Sequence, residues 1–122
     1  MMNTQYSGKH MICDIKGIKN LTLLGNMAEI QKRLDNICDK YEYVVLNKVV
    51  HQFDPIGITV LYLLSESHIS IHTFPEKNYL AFDIYTCRQY DDNTAYNQIY
   101  EYIITEFDAI REIPIIIERK FT

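Results

Sequence analysis

Tryptophan is missing from this 122-residue chain, and glycine (4), proline (3) and cysteine (3) are all scarce. The sequence holds no Gly/Pro-rich linker, no low-complexity tract and no internal repeat. Cys13, Cys38 and Cys87 are an odd number without metal-type spacing, so they suggest no disulfide framework and no metal site. A reduced, cytoplasmic setting is the expectation. No apolar run is long enough to span a bilayer, and Met1 to Tyr6 has neither the basic flank nor the apolar stretch of a signal peptide. Twelve basic residues against sixteen acidic ones give a net charge of −4, with no electrostatic reason to expect nucleic acid or an anionic membrane as partner.

What is present suits one soluble domain over residues 1–122, since 48% of the chain is hydrophobic and its length allows a single core. Residues 1–9 are polar and read as loose. His10 to Lys16 reads as a strand closed by Gly17. Asn26, with Glu29 three positions later, has the pattern of a capping box. Met27, Ile30, Leu34, Ile37 and Tyr41 then recur at helical spacing. Tyr43 to Val50, β-branched and aromatic, reads as a strand, and Phe53 to Gly57 is a turn. Ile58 to Leu64, apolar at successive positions, predicts a central strand covered on both faces. His68 to Phe74 and Leu80 to Cys87 are two more strands. Asp91-Asp92-Asn93 offers caps for a second helix with Ala95, Ile99, Tyr102, Ile103 and Ile110 inward, and Ile113 to Arg119 closes the chain as a strand. Short connections between consecutive strands favour an α+β two-layer sandwich, an antiparallel sheet with two helices on one face.

Strand parity places side chains. Ile69, Ile71 and Thr73 share one face, as do Leu80, Phe82, Ile84 and Thr86. The opposite face collects His68, Ser70, His72, Phe74, Asp83, Tyr85 and Cys87. A sheet face carrying imidazoles, a carboxylate, a thiol and aromatics suits cover by a second copy, so a homodimer is expected.

Ser65 to Glu76, followed by Tyr85-Thr86-Cys87, concentrates a Glu-Ser pair, two histidines, an acid and a thiol. Taken singly, each has a bland reading. Ser67 suits a turn, His68 a structural or interface position, and Cys13 and Cys38 small buried hydrophobes. Phe53 and Phe74 suit dimer packing as well as a ligand clamp.

In order and at their spacing, Gly8-Lys9-His10, His51 to Gly57, Glu66-Ser67-His68, His72 to Glu76 and Thr86-Cys87 resemble the prokaryotic-type pyruvoyl-dependent S-adenosylmethionine decarboxylase proenzymes. The resemblance covers nearly the whole chain, with His72 and Cys87 five and twenty positions after Ser67. It implies self-cleavage at Glu66-Ser67 into residues 1–66 and 67–122. The Ser67 hydroxyl attacks the Glu66 carbonyl, turning the amide into an ester. His72 removes the α-proton of residue 67, and β-elimination releases the Glu66 carboxylate. Hydrolysis then leaves a pyruvoyl group in place of Ser67, with loss of ammonia. Thr59, where many members carry serine, implies a hydroxyl supporting the tetrahedral intermediate.

The pyruvoyl carbonyl implies Schiff-base decarboxylation of S-adenosylmethionine for spermidine synthesis, with Cys87 as the proton donor at the substrate carbon. The same resemblance implies adenine stacking on Phe53 and Phe74 and ribose binding by Glu76. Two further positions depart from the family. Phe74 replaces the usual tryptophan, and Arg88 follows the cysteine where glycine is common. A guanidinium there either acts on the thiol or turns to substrate carboxylate or a partner chain. These departures keep a second substrate class open, a basic amino acid such as arginine or ornithine. A non-catalytic regulatory paralogue is the third reading, against which intact Ser67, His72 and Cys87 count.

Overall fold

The computed structural model describes residues 5–122. Six strands form one sheet: β1 (Tyr6–Ile15), β2 (Val45–Gln52), β3 (Ile58–Leu64), β4 (Ser67–Phe74), β5 (Tyr79–Thr86) and β6 (Ile115–Lys120), in the order β2-β3-β4-β5-β1-β6. Every neighbouring pair is antiparallel. Two long helices, α2 (Met27–Tyr41) and α3 (Thr94–Phe107), and one short turn of helix, α1 (Leu21–Leu24), accompany it. The α+β two-layer antiparallel arrangement is the expected one, with α1 as an addition.

Alternation puts Met11, Cys13, Ile15, Val60, Tyr62, Ile69, Ile71, Phe82 and Ile84 on one face, where they join Ile30, Leu34, Ile37, Ile99, Ile103 and Phe107 of the helices in a single core. Each such side chain removed from water contributes about 1.5–3 kcal/mol. No described helix is long and apolar enough to cross a membrane.

Several local expectations shift. Residues 1–4 of the segment read as loose lie outside the described residues, but Tyr6 to Lys9 are strand, because β6 supplies a distant partner with a bulge between Tyr6 and Gly8. Asn26 caps α2 by accepting from the Glu29 amide at 3.1 Å, while the Glu29 carboxylate turns forward to Arg33, leaving the capping box half made. The inner face of α3 is Tyr96, Ile99, Tyr100, Ile103, Ile104 and Phe107. Ile110 lies beyond the helix and is exposed, and Ala95 and Tyr102 sit at its flanks.

β3 is not covered on both faces within the chain. Leu61 and Leu63 are 41% and 51% exposed on the face away from the helices. Register places them with Val49 of β2, and the same open face continues through His68, Ser70, His72, Asp83, His10 and Ile12 to Ile115 and Ile117.

Candidate active site

The β3–β4 hairpin holds the first group of site residues. Leu64 pairs with Ser67, so Ser65 and Glu66 make the connection. Ser67 has φ +140°, a torsion that ordinarily belongs to glycine and costs a side-chain-bearing residue about 1–3 kcal/mol. Ser67 also pairs with Thr86 at the end of β5, which brings its Oγ to 3.4 Å from the Cys87 Sγ. The Cys87 amide donates to the Glu66 carbonyl at 2.9 Å. The carbonyl that Ser67 would attack is therefore already polarised by a donor, the Cys87 amide, while Thr59 of the same chain stands against His72.

Gly8 is part of the same construction. A Cβ there would stand 1.9 Å from the Thr86 carbonyl oxygen, so only glycine lets β1 approach this close to the strand end that carries Cys87. No role attaches to Gly8 in the sequence, because residues 1–9 read as loose there; only its place within β1 makes a glycine at this position telling.

Arg88 turns away from both substrate-facing options. Its Nε donates to Glu66 Oε2 at 2.8 Å and its Nη2 to Oε1, a bidentate pair. Nη1 donates to the Tyr41 carbonyl at 2.5 Å and the Tyr90 hydroxyl at 3.4 Å, and Nη2 to the Glu42 carbonyl at 3.4 Å. All five guanidinium N–H groups thus have partners inside the chain. The hydrogen bonds to Glu66 push its pKa further up, despite partial burial. Its plane lies over Tyr43, 4.8 Å from the ring centroid. The positive charge is spent on Glu66 and not presented to the thiol or to a ligand.

The second group lies at the other end of β4. Thr59 Oγ1 and His72 Nδ1 are 3.0 Å apart, on residues paired across β3 and β4. Phe53, in the turn closed by its amide on the Gly57 carbonyl (2.8 Å), and Phe74 are both exposed. Glu76 sits exposed in the 3-10 turn Pro75–Lys77. The Thr73 hydroxyl fastens this end, accepting from the Ile58 amide at 3.0 Å and donating to the Leu24 carbonyl at 2.9 Å.

Ser67 and His72 are five strand positions apart, about 16 Å at the rise of an extended chain. One chain therefore does not bring His72 and Thr59 to Ser67. It brings Ser67 to Cys87, and His72 to Thr59, as two separate groups.

Between them lies a polar cluster: strand parity places His68, Ser70 and Asp83 on this face, and β1 adds His10 opposite Tyr85. His10 Nε2 and His68 Nε2 stand 2.6 and 2.9 Å from the same Asp83 Oδ2, and the Ser70 hydroxyl donates to Oδ1. The three ligand-type atoms lie within 4.8 Å of one another. Arg119 donates to His10 Nδ1 at 3.1 Å, which keeps the neutral ring's proton on Nε2 toward Asp83 and leaves His10 no lone pair for a cation. Burial works to raise the Asp83 pKa, but donation from Ser70, His10 and His68 outweighs it and holds the carboxyl below the usual range.

The sign follows. A depressed folded pKa stabilises above the unfolded carboxyl pKa of about 3.9 and loses that contribution as pH falls through the folded value. Asp83→Asn should cost roughly 1–3 kcal/mol at pH 7 and flatten acid unfolding below pH 4, measured by urea titration at several pH values. An unchanged acid limb would remove Asp83 as its cause.

Comparison with known proteins bears on this geometry. A family model described as S-adenosylmethionine decarboxylase matches residues 9–119. A Bacillus cereus protein named S-adenosylmethionine decarboxylase proenzyme 2 is 50% identical over 80 residues, 66% of this chain and 64% of the relative's length. A Clostridium botulinum S-adenosylmethionine decarboxylase proenzyme is 33% identical over 110 residues, 89% of this chain and 94% of the relative. The crystal structure of the adenosylmethionine decarboxylase from Aquifex aeolicus superposes with a TM-score of 0.82 at 29% identity, covering 97% of this chain and 94% of that one.

Proposed function

Because this chain belongs to the S-adenosylmethionine decarboxylase family, we propose that it is a proenzyme that cuts itself between Glu66 and Ser67 and then decarboxylates S-adenosylmethionine. The observation that carries this reading is the Ser67 hairpin. A strained scissile residue, a carbonyl held by an amide donor and a thiol 3.4 Å from the serine hydroxyl converge there. Attack by Ser67 Oγ on the Glu66 carbonyl forms the ester and breaks the amide. Removal of the α-proton of residue 67 then expels the Glu66 carboxylate, and water releases ammonia. A pyruvoyl group so formed supplies the electron sink for decarboxylation. Cys87, already beside residue 67, is the proton donor at the substrate carbon.

The site is completed by a second copy. His72, with Thr59 orienting it, lies on the open face about 16 Å from the Ser67 of its own chain. Ile12, Val49, Leu61, Leu63, Ile115 and Ile117 leave an exposed apolar surface on that face, of the kind a two-fold partner covers. In such a dimer the half-site of one chain (His72, Thr59, Phe53, Phe74, Glu76) faces the half-site of the other (Ser67, Cys87). Phe53 and Phe74 then stack the adenine and Glu76 holds the ribose. Arg88 no longer supports a basic amino-acid substrate, since its donors are all engaged within the chain.

Cys87→Ala should still process, yet lose turnover or inactivate within a few cycles through protonation at the wrong carbon. Release of labelled carbon dioxide from carboxyl-labelled S-adenosylmethionine, arginine and ornithine checks both points. Wild-type turnover with a stable cofactor in the variant would assign the donor elsewhere. Release from arginine or ornithine alone would overturn the substrate.

A further inference from the structure

The Glu66 residue is held from two directions that have no common purpose in a simple hairpin. Its carbonyl accepts from the Cys87 amide at 2.9 Å. Its carboxylate sits in the bidentate fork of Arg88, the residue next to Cys87, with the Arg88 and Glu66 side chains only 31% and 21% exposed. Arg88 is in turn fixed by the Tyr41 and Glu42 carbonyls at the end of α2 and by the rings of Tyr43 and Tyr90. That makes it a rigid post, tied to the helical layer, from which the hairpin is held. The Glu66-Ser67 peptide lies between this post and the torsion of +140° at Ser67. A hairpin free to relax would move that torsion to a residue that tolerates it, or open the turn.

We propose that Arg88 is a positioning residue for self-cleavage: by clamping the Glu66 side chain it keeps the scissile peptide in its strained turn, with the Glu66 carbonyl on the Cys87 amide and within reach of the Ser67 hydroxyl. The inference rests on the self-processing reading above. In the step Arg88 serves, the bond from Ser67 Oγ to the Glu66 carbonyl carbon forms, and the bond from that carbon to the Ser67 nitrogen breaks. The hydroxyl proton ends on the freed nitrogen, and no other reactant enters. Breaking the amide frees the Ser67 torsion from the chain, so the strain held by Arg88 favours the ester over the amide. Arg88 touches none of the reacting atoms and acts only through Glu66.

The test follows cleavage of the full chain in a pulse-chase after cell-free translation, read as one band becoming two, with Tm measured on each variant. Arg88→Ala should slow cleavage roughly 10- to 100-fold, and Arg88→Lys, which keeps the charge but loses the fork, by less. Glu66→Ala leaves Arg88 its bonds to Tyr41, Glu42 and Tyr90 and should slow cleavage by a similar factor, so the test survives even if Arg88→Ala folds poorly. The double variant should be no slower than either single one, the signature of two residues acting as a unit. Multiplicative slowing in the double variant overturns the proposal. So does native cleavage at a temperature where a destabilised Arg88→Ala is still folded. A wild-type chain that never cleaves overturns the self-processing reading and this one with it; slow variants beside a cleaving wild type uphold both.

Discussion

A Ser67→Ala chain is expected to remain a single uncut chain with no decarboxylase activity. The variant removes one oxygen, the nucleophile, and little else. Alanine has a Cβ just as serine has, so the torsion of +140° is no more strained than before. The Glu66 carbonyl keeps the Cys87 amide, and Glu66 keeps Arg88. Stability should therefore stay within about 0.5 kcal/mol of the uncut wild-type chain, while turnover falls to background, on the order of 10⁶-fold or more below the processed enzyme. Denaturing electrophoresis and a labelled-substrate assay read both outcomes. A Ser67→Ala protein that still splits between residues 66 and 67 would overturn serine-dependent cleavage.

Mixing two dead chains should restore part of what each has lost. His72→Ala alone should stall, with any ester that forms cleavable by hydroxylamine, and Ser67→Ala alone cannot start. In a mixed dimer one site combines both defects. The other joins the intact Ser67 and Cys87 of the His72→Ala chain to the intact His72 and Thr59 of the Ser67→Ala chain. Only the His72→Ala chain should then yield a finished 67–122 piece, which differing affinity tags would reveal. The offset of five strand positions between Ser67 and His72 within one chain motivates this expectation. No finished piece despite confirmed mixed dimers would place His72 in the site of its own chain, and a monomer in sedimentation at working concentration would remove the shared site.

The core layer was legible because period-two alternation in Ile69-Ile71-Thr73 and Leu80-Phe82-Ile84 leaves no choice of face. β3 misled for a physical reason. Leu61 and Leu63 are as apolar as Val60 and Tyr62, and hydropathy cannot say whether the cover comes from the same chain. α3 came out rotated since Tyr96 and Tyr100 bury their rings and satisfy their hydroxyls, on Thr86 and on the Glu112 amide, where a hydropathy count favours Ile110. The start of β1 was hidden by polar residues whose ladder partner lies more than a hundred positions away.

At the site, the twenty-residue step from Ser67 to Cys87 converts directly into contact, because β4 and β5 are neighbours and Ser67 pairs with Thr86. The gap to His72 was equally readable from the rise of a strand, and it argues against a site within one chain. Arg88 was not readable. Adjacency to Cys87 suggested an effect on the thiol, whereas its partner, Glu66, is set by the hairpin bringing residues 66 and 88 together.

Intact-mass spectrometry of the purified wild-type protein tests the central claim most directly. Self-processing predicts two pieces, residues 1–66 with an ordinary carboxyl end, and residues 67–122 lighter by one ammonia than a hydrolytic product and blocked to Edman degradation. An uncut chain of 122 residues, or a 67–122 piece that begins with a free serine, would contradict it.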